Sequence, residues 1–85
     1  MIIAAMGLAR EAALVERSGV RTLACGGNAP ALRTALASAI ARNRPAGLIS
    51  IGIAGGLDPA LPVGALVIGT MVGRTATDAG WTARL

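Results

Sequence analysis

The chain predicts an α/β fold on a mostly parallel or mixed, three-layer sheet, and three observations carry that prediction. Short runs rich in Ile, Val and Ala alternate with helix-periodic segments, the order that builds parallel sheets. Few polar residues interrupt either face of those runs, as expected of strands covered on both sides. The run Leu48, Ile49, Ile51, Ile53 then meets a cluster of small residues, Gly52, Ala54, Gly55 and Gly56. Glycine at a strand end lets a backbone approach a ligand closely. In open α/β sheets, ligands bind beyond that end of the strands.

Met1 to Ala5 reads as a short buried strand. Gly7 and Leu8 turn the chain, and Leu8, Ala12 and Val15 recur at helical spacing up to Arg17, with Gly19 placed as a helix C′ glycine. Val20 to Cys25 is a second strand ending in Gly26-Gly27. Asn28 is a good N-cap, and Pro30 falls in the first helical turn, where its missing N–H costs little. Leu32, Leu36, Ala39 and Ile40 form an apolar stripe, and Asn43-Arg44-Pro45 ends the helix. Gly47 to Ile53 is the third strand. The loop Asp58 to Gly64 leads to a fourth, Ala65 to Thr70, and beyond Arg74 the tail turns polar.

The resulting order is βαβαβ-β, and its strand–helix–strand unit over 20–53 is expected to be parallel and right-handed. A chain of 85 residues buries only a little over ~60% of its unfolded surface. Yet 54% of its residues are hydrophobic and a single one is aromatic, more Ala, Leu, Ile and Val than so small a core hides. Two helices cannot cover both faces of four apolar strands. The expectation is one partial domain over 1–85, truncated from a larger α/β unit.

Composition also excludes. A spanning helix needs about 20 apolar residues, whereas the uncharged stretch Pro59 to Gly73 is shorter and broken by Pro62, Gly64 and Gly69. No membrane span is expected, and Met1 to Met6 lacks the basic lead-in of a signal peptide. The net charge of +4 rests on eight scattered arginines with no interleaved aromatics, so no nucleic-acid partner is expected. The single Cys25 cannot form an internal disulfide, which fits a reducing cytoplasm. With no histidine, neither zinc nor a His-based triad is expected.

Four stretches carry a resemblance: Gly7 to Ala12 (GLAREA), Cys25 to Asn28 (CGGN), Ile51 to Asp58 (IGIAGGLD) and Thr77 to Leu85 (TDAGWTARL). Together they make the chain resemble the N-terminal part of the purine nucleoside phosphorylase/nucleosidase superfamily. Its likeness is nearest to the hopanoid-associated phosphorylase branch, thought to act on adenosylhopane. The resemblance implies cleavage of the N-glycosidic bond of a purine, adenosine-type nucleoside by water or phosphate, through an oxocarbenium-like transition state. It implies no cofactor beyond phosphate as a co-substrate, and a homo-oligomer for a full-length family member. The family's aspartate that acts on the purine and its Met-Glu segment that grips the ribose fall beyond residue 85. The chain is therefore expected to be inactive alone.

The resemblance assigns roles residue by residue, and a plainer reading stands beside each. Glu11 matches the glutamate that activates water in the nucleosidases, although its spacing from Met6 is longer here. The plain reading is a first-turn acid favoured by the helix dipole. Arg10 stands near the family's phosphate-binding arginine, with Gly7-Leu8 in place of Gly-Asp; otherwise it is a solvated helix arginine. Gly26, Gly27 and Asn28 resemble the glycine turn near ribose or phosphate, where free N–H groups favour anions; Asn28 is also a plain cap. Ile53, Ala54 and Gly55 align with the segment lining the base and ribose pocket, Ile53 standing where many nucleosidases have a small polar residue. Tight strand–helix packing is the plainer reading of the glycines. Asp58 is read as organising the Pro59 turn and Trp81 as packing.

Two other classes remain. A dinucleotide-binding fragment needs G-x-G-x-x-G opening a helix, and Gly52, Gly55 and Gly56 do not give that spacing. A non-catalytic interaction or assembly module, pairing an uncovered sheet with a partner, stays open.

Overall fold

A computed structural model describes all residues from 1 to 85. Its contacts divide the chain into two units, Met1–Ala54 and Gly55–Leu85.

The first unit is the predicted α/β core. It contains β1 (Ile2–Met6), α1 (Ala9–Val15), β2 (Val20–Ala24), α2 (Ala29–Asn43) and β3 (Gly47–Ser50). The three strands form one parallel sheet in the order β2-β1-β3. Register begins with Ile2 opposite both Val20 and Gly47. Ile2 N–H also donates to Gly19 O at 2.8 Å, and Ala46 N–H donates to Met1 O at 2.8 Å. These bonds set the strand one residue later than its composition alone predicts.

The central strand is the core. Four successive residues, Ile3, Ala4, Ala5 and Met6, are buried, joined by Ala39 of α2. Burial of consecutive strand residues means that both faces are covered, since neighbours point to opposite sides. The two crossovers run in opposite directions across the sheet, β1 to β2 and then back past β1 to β3. Right-handed crossovers then put α1 and α2 on opposite faces. That gives three layers from only two helices.

Helix ends follow local chemistry. Asn28 Oδ1 accepts from Ala31 N–H at 3.0 Å, with Pro30 in the first turn. At the other end Asn43 Nδ2 donates to Ala39 O at 2.9 Å. Arg44 closes α2 in the left-handed region at φ 42°, ahead of Pro45, which disfavours continuing helix. Helix α1 stops at Val15 rather than running to Arg17. Arg17 instead bridges to Val20 across the Ser18-Gly19 turn, with φ +80° at Gly19.

Two strand expectations need correction. The third strand ends at Ser50 rather than Ile53. Ile51 N–H still donates to Ala5 O at 3.0 Å, but β1 ends at Met6, so Gly52 and Ile53 find no ladder to join. The fourth strand, Ala65 to Thr70, does not form: those residues pair with no strand, and Leu66 and Val67 are exposed. Apolar composition supplies strand propensity, but a strand exists only against a paired edge.

The second unit holds what the polar tail concealed. The Asp58 turn is as expected, with Ala60 N–H donating to Asp58 Oδ1 at 2.9 Å and Leu61 N–H to Asp58 O at 3.0 Å. A small antiparallel hairpin, β4 (Met71–Val72) and β5 (Thr75–Ala76), turns on Gly73-Arg74, with φ +59° at Gly73. Glycine first in a two-residue loop is a hairpin signature. Helix α3 (Ala79–Arg84) is capped by Asp78 Oδ1, which accepts from Trp81 N–H at 2.9 Å. No helix in the molecule is long and apolar enough to cross a membrane.

Candidate functional site

The chain leaves β1 for α1 on one face of the sheet and leaves β2 for α2 on the other, so the carboxyl ends of the strands form a topological switch point, the kind of place where open α/β sheets bind ligands. Two depressions lie in the first unit at this end. The larger, about 240 Å³, is lined on the sheet side by Ala5, Met6, Gly7, Ser50 and Ile51, and on the α2 side by Cys25, Gly27, Asn28, Ala29 and Leu32. The smaller, about 180 Å³, is lined by Glu11, Leu14 and Val15 of α1 and by Ile51, Gly52 and Ile53. Ile51 borders both.

Backbone bonds draw the loops together. Gly26 N–H donates to Gly7 O at 2.9 Å, joining the turn after β2 to the turn after β1. Gly26 and Gly27 take φ of +58° and +79°, a turn that L side chains resist. Asn28 N–H donates to Cys25 O at 3.0 Å, completing the tight entry into α2.

Glu11 is the carboxylate of this crevice, half-buried at the third position of α1. Its Oε2 accepts from Leu8 N–H at 3.3 Å, the return half of a capping box; Leu8 itself has no side-chain acceptor with which to complete one. Its Oε1 accepts from Ile53 N–H at 3.2 Å, 42 residues away. A Cβ on Gly52 would stand 3.6 Å from both carboxylate oxygens, in ordinary contact.

Of the residues singled out from sequence, the structure therefore joins Glu11 to Ile53 and places Gly27 and Asn28 on the larger depression. Gly26 stands beside them through its bond to Gly7. Arg10 is exposed on α1 and borders neither depression. Ala54 is exposed at the end of the first unit, and Gly55 opens the second. The sequence assigned no site role to Met6, Gly7, Cys25, Leu32, Ser50 and Ile51, although Gly7, Cys25 and Ile51 fall in stretches that carry the resemblance. The signal for them was positional, since each stands at a strand's carboxyl end or in the helix entry that follows.

Fold and crevice together define an α/β protein with a candidate ligand site at the switch point of a parallel sheet. Comparison with protein families is more specific: the model of the phosphorylase superfamily matches residues 2–83, and the chain belongs to that superfamily. This is a family of nucleoside phosphorylase- and nucleosidase-type enzymes, which cleave a glycosidic bond in nucleoside substrates. No curated protein and no solved structure matches the chain.

Proposed function

We propose that the crevice between β1 and β3 is a site for a purine, adenosine-type nucleoside whose N-glycosidic bond is cleaved by water or phosphate. The observation that carries this reading is Glu11, a carboxylate held at the switch point by backbone N–H groups from two loops. Two of its four lone-pair positions remain to accept from a water or a ribose hydroxyl. As a base, it is suited to orient or deprotonate the attacking nucleophile.

The residues round it fit a nucleoside in parts. Gly27 and Asn28 offer the exposed entry to α2 for ribose or phosphate, Arg10 adds a cation to the same end of the sheet, and Ile53 and Ala54 offer small or apolar backbone for the base. Glu11 is the one carboxylate on either depression. Nucleophile activation and protonation of the leaving base are separate tasks, so we propose that these 85 residues bind nucleoside without turning it over. A single family match crosses both compact units, which supports reading them as parts of one domain. Within the superfamily, the GLAREA, CGGN and IGIAGGLD stretches favour the hopanoid-associated branch, with an adenosylhopane-like substrate. The lone Cys25 favours a cytoplasmic setting, and a homo-oligomer is the expected assembly.

A second reading has its own support. Ile53, Leu57, Val63 and Leu66 are 85%, 99%, 107% and 77% exposed, and apolar exposure on this scale marks interaction surfaces. An interaction or assembly module would associate regardless of nucleoside. Thermal unfolding of the full chain with millimolar adenosine, with inorganic phosphate and with neither separates the two. Stabilisation by adenosine supports the nucleoside site; indifference to both ligands in a large assembly supports the module.

A further inference from the structure

We propose that Glu11 is a positioning residue, a latch whose carboxylate ties the exit of β3 to the entry of α1 and so holds the backbone wall of the smaller depression. The proposal goes beyond the nucleoside reading and does not depend on it. It starts from an asymmetry among the side-chain hydrogen bonds. Glu11 to Ile53 spans 42 residues, whereas every other such bond joins residues no more than eight apart. Those others cap, turn or brace one local segment. This one joins two.

The segment it holds has little else to hold it. Regular pairing stops at Ser50, and the ladder's last bond is Ile51 N–H to Ala5 O. Gly52 has no side chain to pack, and the Ile53 side chain is 85% exposed. Beyond Ile51, the Glu11 carboxylate is the anchor. Since Gly52 and Ile53 border the smaller depression, the shape of that depression follows from this bond. Both bonds are charge-assisted, and they leave the carboxylate facing the crevice already oriented.

Among the residues lining the smaller depression, Glu11 is the one carboxylate. Amide spectra of the ¹⁵N-labelled full chain and of its Glu11→Ala variant therefore read the latch directly. In Glu11→Ala the Leu8 and Ile53 amide resonances should both move while amides of α2 beyond its first turn hold still. The same substitution should speed hydrogen exchange at Ile53 about tenfold and leave Ala4 unchanged. A shift at Leu8 without one at Ile53, or unchanged exchange at Ile53, overturns the proposal. Should that variant not fold, Glu11→Gln, which exchanges one acceptor oxygen for a donor, decides by the same two readouts. Absence of adenosine binding would sink the nucleoside reading and leave this result standing.

Discussion

Asn28 does two jobs in the same few ångströms, and its substitution separates them. Its side chain caps α2 through Ala31 N–H, and its backbone borders the larger depression. Asn28→Ala removes the cap and should cost about 1 kcal/mol, whereas Asn28→Gly should cost only a few tenths, both measured by urea unfolding. Equal losses would show that the side chain does more than cap. Gly27 gives the complementary case. A Cβ there meets open space, yet φ is +79°, so Gly27→Ala should destabilise by about 1 kcal/mol through backbone strain, without any clash. These residues were legible in the sequence because their constraints are local: a cap, a turn and an adjacent proline are all written within four positions. The bond from Glu11 to Ile53 was not legible. Its partners lie far apart in sequence, and nothing in either neighbourhood specifies their register.

At the scale of elements, the same contrast decides which strands were read correctly. β1, β2 and α2 are close to their expected bounds because an apolar run or a capped helix is self-announcing. Ala65–Ile68 is as apolar as β1, but pairing is settled by which edge is available, and no strand pairs with it. The hairpin β4–β5 escaped notice for the opposite reason. Its two-residue strands are too short to show a period, although the Gly73-Arg74 turn was present as a cue. Stability concentrates in β1, where Ile3 is fully buried. Ile3→Ala should cost about 2–5 kcal/mol, enough in a domain of this size to abolish the cooperative thermal transition. Ala4→Leu tests the opposite failure. With Ala4 at 2% exposure between covering layers, overpacking should cost about 1–3 kcal/mol by the same measurement.

The whole molecule carries a thin core and a broad apolar surface. Only five hydrophobic residues are buried, against exposed Leu57, Val63 and Leu66, so the chain should associate in a concentration-dependent way. Sedimentation velocity over a wide concentration range checks this; one unchanging monomer peak would contradict it. Fold class and superfamily were both readable from sequence, the first from alternating strand and helix patterns, the second from short stretches around glycine turns. The crevice was readable only in outline. Strand ends point to it, but which loops meet there depends on the β2-β1-β3 order, which no single segment encodes.

The central claim is that a nucleoside binds where β1 and β3 end. Titrating adenosine into the ¹⁵N-labelled chain and following its amide spectrum tests that most directly. The account predicts saturable shifts at Gly7, Gly27, Ile51, Gly52 and Ile53. A spectrum unmoved at millimolar adenosine, or shifts confined to β4, β5 and α3, would contradict it.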